Sequence, residues 1–516
     1  MNAPASLTPH YNAAVDLIER NLISRPDKIA YIDAARSYTF AELGERVNRC
    51  ASALTDLGLA MEARVMICLL DTIDFPTAFL GAIKAGLVPI AANTLLTGDD
   101  FDFMLHDSRA QALIVSEPLL SVFKPILHNQ GFLRHIIISG PDGGGYPRFA
   151  ELTAGASSAF SAAPTRPDDA CFWLYSSGST GAPKGVVHVQ TSMIHTAELY
   201  AQPILGIRES DVVFSAAKLF FAYGLGNALS FPLSVGATTI LLSERPTPQA
   251  VCRILRDHRP TIFYGVPTLY SALLSCPDLP KRDELNLRCC TSAGEALPPE
   301  VGRRWLERTG VDILDGLGST EMLHIFLSNR PGDVRYGTSG KPVPGYEIRL
   351  IDDDGKRATK GEIGELQVSG PTSAGYYWNN REKSRNTFLG PWTRSGDKYT
   401  ESEDGYFIYS GRNDDMLKVG GIWVSPFEVE SALASHAAVL EAAVVAQADE
   451  NGLIKPKAYV VLRPDVKHTP ELAAALQQHV KSRLAPYKYP RWIEFVADLP
   501  KTATGKIQRF KLRNKV

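Results

Sequence analysis

Residues 175–185, with the sequence YSSGSTGAPKG, have the composition of a loop that binds phosphate. The loop contains three glycines, four serine or threonine hydroxyls and one lysine, and it follows the apolar run CFWLY. Glycines let successive backbone N–H groups converge on an anion, hydroxyl groups donate further hydrogen bonds, and the lysine adds positive charge. The candidate phosphate-binding residues are Ser176, Ser177, Gly178, Ser179, Thr180, Gly181 and Lys184.

The loop differs from a Walker A loop, in which a Gly-Lys pair is followed by Ser or Thr. Here the lysine is preceded by Pro183 and followed by Gly185. A flexible Ser/Gly linker is the alternative interpretation. A linker would not usually stand between two apolar, strand-like segments, so we favour the phosphate-binding interpretation.

Five further motifs follow in the same chain. They are Ser292-Ala293-Gly294-Glu295, Leu317-Gly318-Ser319-Thr320-Glu321, Ser395-Gly396-Asp397, the run YSGRNDD at 409–415 and the run PKTATGK at 500–506. Together with the loop at 175–185, their order and separation resemble those of the adenylate-forming (acyl-CoA synthetase) superfamily over nearly the whole chain. One such match would be weak, but six in order are specific.

The resemblance implies that a carboxylate attacks the α-phosphorus of ATP, with Mg²⁺ as the metal and coenzyme A as a co-substrate. Because two anions must meet, the site needs cations and oriented hydrogen-bond donors. Thr320 and Glu321 then contact the phosphates, and Glu321 holds the metal. Lys506 stabilises the charge that develops between the carboxylate and the α-phosphate. These three residues are the expected catalytic residues.

The resemblance also assigns residues to the nucleotide. Asp397 is expected to accept the ribose hydroxyls, and Arg412 to reach the ribose and the phosphates. The expected adenine-side residues are Ser292, Ala293, Gly294, Glu295, Asp315, Gly316 and Leu317. Members of the superfamily usually have an aromatic residue at the position of Leu317, so we expect aliphatic packing against the base here.

The run KLFFAYGLGN at 218–227 occupies the position of the acyl-binding motif. With GSTEMLHIFLSN at 318–329, it is most similar to the benzoate–CoA ligases of the superfamily. Relatives that activate amino acids carry an aspartate where this chain has Ala222, and a buried ammonium without a partner would be costly. The predicted acid-binding residues are Phe221, Ala222, Tyr223, Gly224, Gly318, His324 and Ile325.

Three questions stay open, two about the substrate site and one about the oligomeric state. His324 either donates to the ring substituent or carboxylate of the substrate, or is a structural histidine. The ring could be bare, hydroxylated, aminated or halogenated. The chain could also be a monomer or a homodimer.

The acceptor thiol is expected to be free coenzyme A, because no carrier domain follows the lysine motif. Gly420 and Gly421 would form a narrow passage for its pantetheine arm. The alternative is a stand-alone aryl-adenylating enzyme that loads a carrier protein. A nucleotide-binding module without catalysis is disfavoured, since the catalytic residues are all present.

The elements that must position these residues alternate between strands and helices. Strands are predicted at 64–70, 112–116, 135–139, 237–242, 261–264 and 287–291, and helices at 74–85, 268–275 and 298–308. This alternation predicts α/β layers with largely parallel sheets. The segment 140–167 is rich in Gly, Ala, Ser and Pro, so we predict a long surface connection there.

A second unit begins near residue 416. The run Ser425-Pro-Phe-Glu428 predicts a capping box with proline at the first helical position, and the pattern that follows completes a β–α–β–β–α–β order. We therefore predict a large amino-terminal domain of layered sheets and helices at 1–411. A hinge at 412–415, which pivots on Asp414, and a small mobile α+β domain at 416–516 follow.

Length and composition agree with this organisation. The chain has 516 residues, which exceeds the size of about 250–300 residues at which single cores stop growing. Its formal net charge is -2, from 54 basic and 56 acidic residues, which argues against a protein that mainly binds nucleic acid. Seven cysteines without a C-x-x-C pair disfavour a disulfide framework. No signal peptide or membrane span is expected, and a cytoplasmic location fits best.

Overall fold

The computed structural model describes residues 10–176, 183–412, 415–419, 422–450, 453–464, 466–501 and 507–513. The strands of this part of the chain are β1 (Ile29–Ile32), β2 (Ser37–Thr39), β3 (Arg64–Cys68), β4 (Val88–Ala91), β5 (Ala112–Ser116), β6 (His135–Ser139), β7 (Ala170–Ser176), β8 (Lys184–Val189), β9 (Val212–Ser215), β10 (Thr238–Ile240), β11 (Ile262–Gly265), β12 (Cys289–Ser292), β13 (Ile313–Gly318), β14 (Ile325–Ser328), β15 (Lys341–Pro342), β16 (Glu347–Ile351), β17 (Ile363–Ser369), β18 (Tyr376–Tyr377), β19 (Phe388–Leu389), β20 (Trp392–Glu401), β21 (Phe407–Arg412), β22 (Leu417–Val419), β23 (Ile422–Val424), β24 (Val439–Ala448), β25 (Ile454–Leu462) and β26 (Trp492–Phe495).

The helices between them vary in length from four to seventeen residues. They are α1 (Ala13–Ser24), α2 (Phe40–Asp56), α3 (Asp74–Lys84), α4 (Gly98–Ser108), α5 (Leu120–Phe123), α6 (Phe149–Ala154), α7 (Ser192–Thr196), α8 (Ala222–Leu225), α9 (Phe231–Val235), α10 (Pro248–Asp257), α11 (Pro267–Leu274), α12 (Pro299–Thr309), α13 (Arg381–Thr387), α14 (Pro426–Ala434), α15 (Pro470–Lys481) and α16 (Arg509–Arg513). None of the helices in the described part of the chain is long and apolar enough to cross a membrane.

Two large sheets are mainly parallel, as the alternation of strands and helices predicts. One has seven strands in the order β18-β8-β7-β4-β3-β5-β6, and the other has nine in the order β15-β14-β13-β12-β11-β9-β10-β1-β2. Strands such as β4 and β5 are buried at every residue, because helices cover both faces of such sheets. The carboxyl ends of parallel strands share one edge, which is where α/β proteins bind ligands.

A third sheet, of β16, β17, β19, β20 and β21, is antiparallel throughout. Its hairpins between residues 347 and 401 were not predicted from the sequence, whereas the run GYFIY at 405–409 has the pattern of a strand and overlaps β21. Antiparallel neighbours need only a short turn, whereas parallel ones need a crossover helix. Glycines with positive φ, such as Gly355 (79°), close these turns.

The predicted connection at 140–167 is wrong in one respect, because it contains the helix α6. Phe149 is fully buried in the main core of the large domain, and α6 packs against α2. Leu152 of the same helix packs against this core too, so two apolar side chains hold α6 within a segment of loop-like composition.

The carboxy-terminal unit follows the predicted β–α–β–β–α–β order with two differences: a pair of strands, β22 and β23, precedes α14 where one strand was predicted, and α16 follows β26. Ser425 accepts a hydrogen bond from the backbone N–H of Glu428 (3.2 Å), and Pro426 is the first helical residue of α14. The reciprocal half of the capping box is replaced, because the Glu428 carboxylate binds Lys488 instead (2.6 Å). The domain bounds at 411 and 416 stay a prediction, since residues 413–414 lie outside the described part of the chain.

Candidate active site

The turn that carries Thr320 and Glu321 lies between β13 and β14. Gly318 and Ile325 face each other across these antiparallel strands, which brings the two ends of the turn together. A buried histidine, His188 on β8, donates from Nε2 to the Thr320 carbonyl oxygen (2.8 Å). Burial lowers the pKa of His188 to about 4, so it is neutral at pH 7. Strand β8 of the seven-stranded sheet therefore supports the turn.

The Glu321 carboxylate is surrounded by groups from three parts of the chain. Its Oε1 accepts a hydrogen bond from the Tyr377 hydroxyl (2.8 Å) and a longer one from the Ser176 hydroxyl (3.5 Å). The Lys184 ammonium lies 4.9 Å from the centroid of the Tyr377 ring. Burial lowers the pKa of Lys184, and the nearby Glu321 charge opposes that change. The two described ends of the predicted phosphate loop, Ser176 and Lys184, thus lie beside Glu321.

Asp397 and Arg412 are paired across β20 and β21. Arg412 Nη1 lies 3.3 Å from Asp397 Oδ1, and the Asp397 backbone N–H donates to the Ser395 hydroxyl (3.1 Å). Asp397 is buried and Arg412 is exposed. After burial, the charges of Lys383 and Arg412 also lower the pKa of Lys184.

The predicted adenine-side residues lie at the carboxyl ends of the neighbouring parallel strands β12 and β13. Ser292 faces Asp315 in the strand register, and Gly294 has a φ of 95° just after β12. Asp315 is buried, and its Oδ2 accepts a hydrogen bond from the Leu297 N–H (3.3 Å). Burial raises the pKa of Asp315 to about 8, so it is largely protonated at pH 7. The remaining members of this group are Ala293, Glu295, Gly316 and Leu317.

The predicted acid-binding residues also come together. The segment that carries Phe221, Ala222, Tyr223 and Gly224 follows β9, and His324 Nε2 donates to the Tyr223 carbonyl oxygen (3.2 Å). The Tyr223 hydroxyl hydrogen-bonds the Thr291 hydroxyl (2.5 Å). At Gly318, a Cβ atom would lie 2.6 Å from the His324 carbonyl oxygen, so the close approach requires glycine.

His324 is buried among aromatic rings. Its ring centroid lies 4.5 Å from that of Phe231 and 5.5 Å from those of Tyr200 and Tyr223. Burial lowers its pKa to about 3, so it is neutral at physiological pH. Because Nε2 is already a donor to Tyr223, His324 in this arrangement has no second N–H and offers only Nδ1 as an acceptor. A charge-assisted bond from His324 to a substrate carboxylate is therefore disfavoured.

Several residues that shape the site were missed by the sequence analysis. His188, Tyr200, Tyr264, Thr291 and Tyr377 contact the predicted residues from distant parts of the chain. The two consecutive tyrosines at 376–377 were the only local signal. Conversely, Ser177, Gly178, Ser179, Thr180, Gly181, Asp414, Gly420, Gly421 and Lys506 lie outside the described residues.

Comparison with known proteins places this geometry in a family. The AMP-binding enzyme family matches residues 18–378, and the AMP-binding enzyme C-terminal domain matches residues 428–506. The chain belongs to the AMP-binding enzyme family. This confirms the predicted membership of the adenylate-forming superfamily and the predicted fold class, a large α/β domain followed by a small one.

Individual relatives are similar over nearly their full length. The chain is 66% identical to the benzoate–CoA ligase of Thauera aromatica over 515 residues, covering 99% of this chain and 97% of that relative. It is 51% identical to a 4-hydroxybenzoate–CoA/benzoate–CoA ligase of Rhodopseudomonas palustris, covering 98% and 94%. The crystal structure of a benzoate CoA ligase from Burkholderia xenovorans LB400 superposes with a TM-score of 0.92 at 56% identity, covering 98% and 100%. These similarities confirm the predicted resemblance to benzoate–CoA ligases.

Proposed function

We propose that this chain is an ATP-dependent benzoate–CoA ligase that accepts benzoate or a substituted benzoate. AMP-forming acid–thiol ligation follows from its family and from relatives that are aryl–CoA ligases. One short turn supports the proposal that the substrate is an aromatic acid. The same turn between β13 and β14 holds Glu321 and His324, so a phosphate-side carboxylate stands beside a cluster of aromatic rings, which we take as the wall of the acid-binding site.

The reaction has two steps. A carboxylate oxygen of the acid attacks the α-phosphorus of ATP, and pyrophosphate leaves with the electron pair of the broken P–O bond. The thiolate of coenzyme A then attacks the acyl carbon of the aryl-AMP, and AMP leaves. The first step brings two anions together, so Lys184 and Arg412 supply the positive charge of the described site.

The donor set around Glu321 fits Mg²⁺. This ion keeps several waters and is usually bound by one or two carboxylates together with substrate phosphates. Glu321 is half-buried and its Oε1 is oriented by Tyr377, which leaves the other oxygen for the ion. When bound, the ion would neutralise phosphate charge.

The acid pocket suits one uncharged ring. Ala222 offers no carboxylate for a substrate ammonium, and the neutral His324 adds no charge. The surrounding Tyr223, Tyr200 and Phe231 provide apolar, aromatic surface. We infer that benzoate-sized acids are preferred to amino acids and to fatty acids.

The other site residues are part of the same proposal. Asp397, held beside Arg412, would accept the ribose hydroxyls, and the ends of β12 and β13 would flank the adenine. The functions of Lys506, Asp414, Gly420 and Gly421 rest on the motif resemblance. We also propose a cytoplasmic location, which the seven free thiols of the described chain support.

Coenzyme A is favoured over a carrier protein, because the curated relatives are CoA ligases. Purified protein with benzoate, ATP, Mg²⁺ and CoA should form benzoyl-CoA and AMP, which mass spectrometry detects. Accumulation of benzoyl-AMP without a thioester would instead support the carrier-loading alternative.

A further inference from the structure

A buried ion pair lies behind the acid-binding segment, at residues that the proposed chemistry does not use. Asp71 stands three residues after β3 of the seven-stranded sheet, and Lys218 stands three residues after β9 of the nine-stranded sheet. Asp71 Oδ2 lies 4.0 Å from Lys218 Nζ, and only 5% and 15% of the two side chains are exposed. The pair therefore joins the carboxyl-terminal edges of the two sheets.

Both side chains also bind the backbone. The Leu219 N–H donates to Asp71 Oδ1 (3.3 Å), and Lys218 Nζ donates to the carbonyl oxygens of Leu242 and Glu244, the latter at 2.7 Å. Leu242 and Glu244 follow β10, the neighbour of β9 in the sheet. The two carbonyl oxygens thus use two of the three ammonium donors, and the Asp71 carboxylate, 4.0 Å away, is an ion-pair partner beyond hydrogen-bond distance.

The backbone of Lys218 in turn fixes the acid-binding residues. Its carbonyl oxygen accepts a hydrogen bond from the Phe221 N–H (3.0 Å). At Gly224, a Cβ atom would lie only 2.0 Å from the same oxygen, so the turn from Lys218 to Gly224 is too tightly packed for any side chain at position 224. The Leu225 N–H donates to the Phe221 carbonyl (2.8 Å), which begins α8. A shift of Lys218 would therefore move Phe221, Ala222 and Tyr223 together.

The pKa shifts of the two side chains are those of a buried ion pair. Burial raises the pKa of Asp71 to about 6, and Lys218 and the Leu219 N–H oppose that rise. Burial lowers the pKa of Lys218, and Asp71 opposes that change. Burying two charges is costly, and well-packed apolar side chains often serve stability as well or better.

We propose that Asp71 and Lys218 are positioning residues that fix the segment 217–224 and thereby determine which acids the enzyme accepts. Their ion pair and their hydrogen bonds to the backbone of Leu219, Leu242 and Glu244 hold the start of this segment, and they act through Phe221–Tyr223. This inference rests on the proposed function, because it takes that segment as the acid-binding wall.

The test measures selectivity in Lys218→Met and Asp71→Asn. We expect the KM for benzoate to rise on the order of 10- to 100-fold in Lys218→Met, because a displaced wall no longer fits the ring. The KM for ATP should stay unchanged, and the ratio of kcat/KM for benzoate to that for hexanoate should fall. Asp71→Asn keeps an oxygen for the Leu219 N–H, so we expect a smaller change in the same direction.

Asp211→Asn is the matched control, because it breaks a buried pair at the opposite end of β9. Asp211 is 1% exposed, and its Oδ1 accepts from Arg288 Nε (2.8 Å). This substitution should lower the melting temperature without changing the ratio of kcat/KM for benzoate to that for hexanoate. If Lys218→Met and Asp71→Asn behave like it, the pair is merely structural and the inference is overturned. If Lys218→Met does not fold, Asp71→Asn alone decides.

A second control separates this inference from the proposed function. Ala222→Leu fills the proposed pocket directly and should change the same kcat/KM ratio by itself. If Ala222→Leu changes the ratio but the ion-pair variants do not, only the positioning role fails. If Ala222→Leu has no effect either, the assignment of the pocket is wrong.

Discussion

Glu321 is the residue on which the proposed chemistry depends most. Its backbone N–H and carbonyl belong to a tight turn, while Tyr377 and Ser176 orient its carboxylate from two other segments. The sequence motif predicted that Glu321 holds the metal. It could not predict Tyr377, because hydrogen bonds across 56 positions leave no local pattern.

Replacing Glu321 by glutamine tests the metal-binding role. A neutral amide is a poor Mg²⁺ ligand, so we expect the adenylation rate to fall by about 100-fold or more at limiting Mg²⁺. ATP–pyrophosphate exchange with benzoate measures this step. An unchanged rate at limiting Mg²⁺ would mean that another carboxylate holds the ion.

Tyr377→Phe tests the orientation of that carboxylate. A hydrogen bond to a charged group contributes about 1.5–3 kcal/mol, so we expect a loss of roughly 10- to 100-fold in adenylation. The control is Tyr376→Phe, because the neighbouring tyrosine is 44% exposed. Equal rates for the two variants would exclude a role for the Tyr377 hydroxyl.

Asp315 gives a prediction about pH and stability. In the folded protein the Asp315 carboxyl stays protonated up to about pH 8, whereas in the unfolded chain it loses its proton near pH 3.8. Its contribution to stability is therefore fully present below pH 3.8 and is lost as the pH rises towards 8. Asp315→Asn should remove this loss, so its stability relative to the wild type should grow by up to about 1.4 kcal/mol per pH unit.

Urea unfolding without ligands at pH 5, 6, 7 and 8 measures that difference. A difference in the free energy of unfolding that does not change with pH would mean that Asp315 is ionised in the folded protein. The sequence could not predict this protonation, because it depends on burial between β12 and β13.

At the scale of elements, local signals predicted several parallel strands, among them β3, β5, β6 and β11, but not β1, β4, β9 or β13. Strands β5 and β6 have the predicted bounds, and α3 ends where Gly86 takes a positive φ of 72°. Most of the antiparallel sheet was missed, and so was α6. Strand pairing and the packing of one phenylalanine into a distant core are tertiary effects that a short window of sequence does not contain.

The turn before α8 gives a prediction at this scale. Gly224→Ala would place a methyl group against the Lys218 carbonyl oxygen, which must move. We expect a destabilisation of about 1–3 kcal/mol and a higher KM for benzoate. Gly131→Ala is the control, since no atom lies within 4 Å of its added Cβ. Chemical unfolding and the dependence of the rate on benzoate concentration should distinguish the two variants. Identical stability and KM in both would contradict the close packing at Gly224.

At the scale of the molecule, the carboxy-terminal unit connects the predicted hinge to the lysine motif. Arg509, three residues after Lys506, binds Glu430 on α14 (2.7 Å) and Asp415 next to the predicted pivot (3.4 Å). Burial lowers the pKa of Arg509, but the nearby Glu430 and Asp415 outweigh it and hold that pKa above its usual value. These contacts hold the segment that follows the lysine motif against α14 and against the residue that follows the predicted pivot.

The resemblance implies that this unit rotates about Asp414, so that Lys506 faces the active site during adenylation and Gly420 and Gly421 face it during thioester formation. Lys506→Ala should greatly lower the rate at which aryl-AMP forms, while the rate at which supplied aryl-AMP reacts with CoA stays nearly unchanged. Asp414→Pro, which fixes φ near −65°, should do the reverse if it locks the adenylation conformer. Single-turnover measurement of each half-reaction compares them. Equal losses in both halves for Lys506→Ala would exclude separate roles.

The most direct test of the central claim is a comparison of acids in the complete reaction. Purified protein with ATP, Mg²⁺ and CoA is given benzoate, 2-aminobenzoate, a 4-hydroxybenzoate, hexanoate or phenylalanine, and thioester formation is followed to obtain kcat/KM. Our account predicts that a benzoate-sized aryl acid has the highest kcat/KM and that its CoA thioester is the product. A higher value for hexanoate or phenylalanine than for every aryl acid would contradict it.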